Sequence, residues 1–282
     1  MAQHAIPRTE ENDTHPPPKV IMLVKFASLL LSKMRHEIST RPNSSLTTLQ
    51  RQHSELCEDG VTILPSFFNE KQVETMLHAL DYKYFIATPE MQHEKSNMLA
   101  DRFLSDAAKN TELDYFFRNE ALTSLIQSYF GGYAKLHMSF ARIKENTGPV
   151  SSFENFWHFD SYKKRLKCFL YLSDVGPENA PVGYLKGSHG TCLSRISREL
   201  EMYAGYKKDG HGYAKDNESA YLGCYWPHEA KALQRRFEPV TCTGTAGTVV
   251  VFDGKGIHLA NQLLSGKRIV LVSHWIQEHN HM

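Results

Sequence analysis

Two periods of apolar residues divide the chain. Up to about residue 131 apolar side chains recur at helical spacing, and from Lys135 onward they alternate. Leu49, His53, Leu56 and Cys57 predict a helix that stops at Asp59-Gly60, with the glycine supplying the turn. Val61-Thr62-Ile63-Leu64-Pro65 predicts a short strand ending at a proline. Asn69 then predicts an N-cap, and Gln72 at the third helical position completes a capping box. Val73, Met76, Leu77 and Leu80 give that helix one apolar face. A further helix, about Tyr115 to Phe130, buries Leu122, Leu125, Ile126 and Tyr129 and stops at Gly131-Gly132. The clearest strands are Lys135 to Lys144, Leu166 to Ser173, Thr248 to Phe252 and Arg268 to Gln277. Helices followed by short antiparallel strands predict an α+β domain built on a β-sandwich or jelly roll, flanked by N-terminal helices.

The flanks read differently. Residues 1–19, with Pro16-Pro17-Pro18, predict a flexible leader. Val20 to Met34 is the most apolar segment, but Lys25 interrupts it, and a bilayer span needs about 20 mostly apolar residues. An amphipathic helix, with a linker to residue 45, is the expectation, and no transmembrane segment. Contact with a membrane interface or a partner through 20–34 stays open. The domain proper is expected at 46–282, with 192–240 as an inserted substrate lid.

Composition narrows the function. The 282 residues carry 32 basic and 31 acidic side chains, a net charge of +1, so no nucleic-acid footprint is expected. Five cysteines (57, 168, 192, 224 and 242) form no Cys-x-x-Cys pair. They read as reduced thiols of a cytoplasmic protein. Monomer and homodimer both stay open.

The candidate chemistry lies in Phe156-Trp157-His158-Phe159-Asp160. On a strand, residues two apart share a face, so His158 and Asp160 can hold one metal ion. His258, just beyond the apolar run Val249-Val250-Val251-Phe252, is the third candidate ligand. Two histidines and one carboxylate with open positions opposite suit non-haem Fe(II). His189 is read as structural, closing a turn through hydrogen bonds.

Several blocks in order carry a family resemblance. Glu58-Asp59-Gly60-Val61-Thr62-Ile63-Leu64-Pro65-Ser66-Phe67-Phe68 and the capped helix open it. His158-x-Asp160 follows, then Phe169-Leu170-Tyr171-Leu172-Ser173-Asp174, then Asn179 to Gly187-Ser188-His189, then His258 and Arg268. From about Cys57 to Trp275 the chain resembles the phytanoyl-CoA dioxygenase family of Fe(II)- and 2-oxoglutarate-dependent oxygenases. The resemblance implies a double-stranded β-helix (a cupin-like jelly roll), Fe(II) on His158, Asp160 and His258, and O2 as second co-substrate. It also implies that Arg268 holds the far carboxylate of 2-oxoglutarate, as its planar fork suits. Because Asp160 is present, hydroxylation is expected over halogenation.

Some positions depart from the family pattern. Phe169 stands where tryptophan is common, Tyr171 where a small residue is common, and Ala260 where a hydroxyl residue is common. Period two places Lys167, Phe169 and Tyr171 on one face, so Lys167 and Tyr171 are candidate co-substrate contacts, with space-filling the even alternative for Tyr171. Phe140 and Arg142, with Trp157, Phe159 and Tyr225, are candidate contacts for a small-molecule substrate, aromatics holding an apolar body and a cation an acidic handle. Lys207, Lys208, Arg235 and Arg236 add positive charge to the 192–240 stretch. The expectation is hydroxylation of an aliphatic carbon of a small molecule, with 2-oxoglutarate decarboxylated to succinate and CO2, in secondary or specialised metabolism. Modification of a macromolecule and a non-catalytic jelly-roll binding protein are the alternatives.

Overall fold

The computed structural model describes residues 48–80, 86–87, 101–145, 153–161, 163–190, 195–196, 198–200, 213–214, 217–221 and 223–277. The leader, the 20–34 helix and Lys207-Lys208 lie outside these residues.

Helix α1 (Thr48–Asp59) buries Leu56 and Gln52, while Leu49, expected on its apolar face, is exposed in the first turn. Gly60, at φ +77°, turns the chain directly into β1 (Val61–Leu64). A side chain there would also collide with His189, since a Cβ would stand 2.4 Å from its Nδ1. Helix α2 (Glu70–His78) carries the predicted capping box, with Asn69 and Gln72 each accepting from the other's backbone N–H. After β2 (Ile86–Ala87) and β3 (Asp101–Ser105) come a short helix α3 (Asp114–Phe117) and α4 (Glu120–Phe130). Helix α4 buries Leu122, Leu125, Ile126, Tyr129 and Phe130 and ends at Gly131. The single helix expected from Tyr115 is thus two, because Asn119 leaves the helix to cap the second.

Strands then dominate. β4 (Ala134–Glu145), β5 (Arg165–Tyr171), β6 (Val182–Leu185), the β7 (Tyr213–Ala214) and β8 (Asn217–Tyr221) pair, β9 (Pro239–Cys242), β10 (Val249–Asp253), β11 (His258–Ala260) and β12 (Lys267–Gln277) follow. Helix α5 (Pro227–Arg236) lies among them. The large sheet runs β1-β10-β5-β12-β4-β3-β2, and β11-β6-β9 forms the smaller one. Every pairing among the described residues of both is antiparallel.

Alternation assigns the two faces of the large sheet. Leu166, Cys168, Leu170, Val249, Val251, Ile269 and Leu271 join the helices in the main core. Tyr171, Val250, Phe252, Val270 and Val272 face the other way and pack with Val182, Tyr184 and Cys242 of the small sheet. Two stacked antiparallel sheets with helices outside one of them make the expected α+β jelly roll. Arg268 lies on the inter-sheet face by the same alternation, which gives it access to the space between the sheets.

One boundary needs correction. The insert drawn at 192–240 runs into β9, a paired strand of the small sheet, so its C-terminal end belongs to the framework. It also contains α5, where Arg235 and Arg236 occupy the exposed last turn and complement the helix dipole. Among the described residues, no helix is long and apolar enough to cross a membrane.

Candidate metal centre

Backbone pairing brings the two imidazoles together. His158 sits in no regular strand, contrary to expectation; it forms isolated bridges to His258 and to Cys224. His158 N–H donates to His258 O at 2.9 Å, and His258 N–H donates to His158 O at 2.8 Å. Residues that exchange both bonds carry their side chains on one face, and here the ring centroids lie 4.4 Å apart. Asp160 is fixed separately, its N–H donating to Gly254 O at 2.8 Å. The carboxylate passes so close to that turn that a Cβ on Gly254 would stand 2.6 Å from Asp160 Oδ2. The ligand atoms of His158, Asp160 and His258 all lie within 4.8 Å of one another.

Their protons are settled by their other contacts. His158 Nδ1 faces Phe156 O at 2.7 Å and His258 Nδ1 faces Gly256 O at 2.9 Å. A carbonyl only accepts, so both Nδ1 atoms carry the hydrogen and both Nε2 atoms present lone pairs. Those lone pairs point at a carboxylate, with His158 Nε2 3.7 Å from Asp160 Oδ1 and His258 Nε2 3.3 Å from Oδ2. Burial, helped by His258, holds His158 down at about 4. Burial pushes the Asp160 carboxyl up, but Lys167 beside it brings it well below the usual carboxylate range. The two Nε2 lone pairs and the Asp160 carboxylate converge, and among the described residues His258 Nε2 is buried without a hydrogen-bond partner. A cation is what such a donor set fits.

Around the triad the predicted residues divide. Lys167 Nζ lies 2.7 Å from Asp160 Oδ2, a contact short enough to fix that oxygen. The Tyr171 hydroxyl donates to Cys242 O at 2.6 Å inside the inter-sheet core, so it fills space and its one proton is committed. Arg268 is 1% exposed, gives one hydrogen bond to Ala180 O, and leaves Nε buried without a partner. Among the described residues no carboxylate lies within ion-pair distance of it. Burial, with Arg142 nearby, lowers its pKa.

The substrate candidates fare less evenly. Arg142 is no free cation: its Nε and Nη2 bind Asp101 at 2.7 and 2.6 Å, and its Nη1 binds Glu154 at 2.9 Å. Phe159 is fully buried because it alternates with the two ligands that flank it, and it packs with Leu185, Tyr225 and Ile257. Tyr225 is buried in that same cluster, and Trp157 is half-buried against it. Phe140 remains on the inter-sheet face, edge-on to His274 at 5.7 Å. His189, expected to be structural, has its Nε2 3.1 Å from Cys57 O.

A family model described as "Phytanoyl-CoA dioxygenase (PhyH)" matches residues 56–270, which is most of the chain. The chain belongs to the phytanoyl-CoA dioxygenase family. It is an Fe(II)/2-oxoglutarate-dependent dioxygenase by that membership. Among curated relatives, an ectoine dioxygenase of Stutzerimonas stutzeri is 25% identical over 217 residues, covering 72% of this chain and 68% of the relative. Among solved structures, the epimerase SnoN in complex with Fe3+, alpha ketoglutarate and nogalamycin RO aligns with a TM-score of 0.58 at 16% identity. That alignment covers 81% of this chain and 83% of SnoN. EctD from S. alaskensis with 2-oxoglutarate and 5-hydroxyectoine aligns at 0.56 and 18% identity, covering 84% and 79%. These structures share its jelly-roll fold.

Within the family frame, two features went unread in the sequence. Lys144, opposite Arg268 in the β4–β12 register, contributes a second, half-buried cation on the inter-sheet face. Burial, then Arg142, lowers its pKa, and it lies 3.4 Å from Asp101 and 3.6 Å from Glu154. The short turn Phe153–Asn155 holds this cluster at one end and, through Asn155 Nδ2, the Ala260 carbonyl at 2.8 Å at the other. Alternation along β4 places Lys144 with Arg142, a signal that was available; the carboxylates come from distant sequence.

Proposed function

We propose that this enzyme hydroxylates an aliphatic carbon of a small molecule, with His158, Asp160 and His258 holding Fe(II). The observation that carries the reading is three converging acceptors together with a buried guanidinium on the inter-sheet face that has no carboxylate within ion-pair distance among the described residues. Arg268 would take the far carboxylate of 2-oxoglutarate through its fork, and Lys144 beside it would add charge where Ala260 supplies no hydroxyl. Lys167 would hold Asp160 Oδ2, leaving the other carboxylate oxygen for the metal. The iron, once bound, supplies oxidation by O2, so that substrate C–H, 2-oxoglutarate and O2 become C–OH, succinate and CO2. The Phe140 and His274 side of the cavity would receive the substrate.

The relatives support small-molecule chemistry, being an ectoine dioxygenase and an epimerase in complex with nogalamycin RO. Their variety leaves hydroxylation as the simplest of several outcomes for one iron site. Four described cysteines are free thiols, which supports a cytoplasmic setting. The test is release of labelled CO2 from 1-labelled 2-oxoglutarate. It should require Fe(II) and O2 and vanish in Asp160→Ala; CO2 release that survives this substitution would overturn the assignment.

A further inference from the structure

A buried ion group stands behind the metal ligands, on elements that the oxygenase chemistry does not itself use. Arg195, Glu199 and Lys255 are 1%, 2% and 1% exposed. Glu199 Oε1 lies 3.2 Å from Arg195 Nη2 and 3.6 Å from Lys255 Nζ. Isolated ions of this kind are costly to bury, so their arrangement needs a reason.

The contacts of Arg195 supply one. Its Nη1 donates to Ser188 O, and its Nη2 donates to Lys255 O at 2.7 Å. Lys255 lies between Gly254, whose carbonyl receives the Asp160 N–H, and Gly256, whose carbonyl receives His258 Nδ1–H. Ser188 Oγ accepts from Ile257 N at 2.7 Å, one residue before His258. The flat face of the guanidinium covers the Phe159 ring at 4.5 Å, and Phe159 sits between His158 and Asp160. One side chain therefore touches the immediate support of all three candidate ligands. The next arginine repeats the pattern: Arg198 donates to Cys224 O, and Cys224 bridges His158.

We propose that Arg195, neutralised by Glu199, is a positioning residue that sets the spacing of the metal triad. This rests on the iron-site reading above. The base of the stretch expected to be a lid is then a buttress for the metal. A planar fork is needed because two carbonyls and a ring face must be met at once; lysine can replace the charge but not that geometry.

The test is Co(II) titration of the metal-free full-length protein, read by its visible d–d absorption, for wild type, Arg195→Met, Arg195→Lys and Leu56→Ala. Leu56 is buried in the main core with the helices, so its truncation destabilises without addressing the centre. Wild type should bind, and His158→Ala should not; failure there would sink the iron-site reading itself. Given that binding, both Arg195 variants should lose about 10- to 100-fold in affinity with an altered spectrum, as outer-shell substitutions do. Leu56→Ala should keep both. Should Arg195→Met not fold, Arg195→Lys carries the comparison. Wild-type affinity and spectrum in folded Arg195→Lys, or an equal loss in Leu56→Ala, would overturn the proposal.

Discussion

Replacing Arg268 by Met should make the protein more stable and unable to use its co-substrate. This guanidinium is 1% exposed and, among the described residues, is offset by one carbonyl, that of Ala180. Burying an ion without a counter-ion costs several kcal/mol. Leaving the Ala180 carbonyl unpaired in the variant costs about 1–3 kcal/mol, so the balance favours Met. The melting temperature should rise by a few degrees, at roughly 2–4 °C per kcal/mol for a domain of this size. Binding should move the other way. Two charge-assisted hydrogen bonds at about 1.5–3 kcal/mol each amount to about 3–6 kcal/mol, or roughly 100- to 10,000-fold in Kd for 2-oxoglutarate. At a hundred times its Kd the co-substrate adds about 2.7 kcal/mol to wild type, a shift of roughly 5–10 °C. Differential scanning fluorimetry with and without 2-oxoglutarate under Fe(II) and argon reads both terms. A variant that melts lower than wild type yet still shifts with 2-oxoglutarate would refute the reasoning.

Three further outcomes follow from the same geometry. Gly254→Ala places a Cβ 2.6 Å from Asp160 Oδ2, so Co(II) affinity should fall at least about tenfold while the far-UV spectrum is kept. His158 and His274 are held down by burial at about 4 and about 3, so the unfolded chain takes up their protons first as pH falls from 6.5. The metal-free protein should therefore lose stability between pH 6.5 and about 4, visible as a lower urea midpoint at pH 5 than at pH 7. His189→Ala should lower stability by about 1 kcal/mol through the lost bond to Cys57 O, and leave metal affinity unchanged in the same titration.

What could be read in the sequence was what is local. Asn69 and Gln72 announce a helix start because both partners of the capping box lie within one turn. Strand alternation announces which face Arg268 occupies. The triad was legible as a set of residue types. Its geometry was not, because His158 is held by an isolated pair with His258, a hundred residues on, rather than by a strand of its own. Helix α5 was readable after all, with Pro227 in its first turn, Glu229 accepting from the Trp226 N–H, and two arginines in the last turn. Phe159 as a substrate contact was an avoidable error, since period two sends the residue between two ligands to the opposite face. Arg142 was a different case. Nothing near it in sequence signals Asp101, 41 residues earlier, or the turn that brings Glu154. Long-range charge pairing is settled only when β3 and β4 register.

The most direct test is anaerobic titration of the metal-free protein with Fe(II) and then 2-oxoglutarate, watching for the weak visible metal-to-ligand band. The account predicts that the band develops in wild type and is lost in both His158→Ala and Arg268→Met. Fe(II) binding without a band, or a band that survives Arg268→Met, would contradict it.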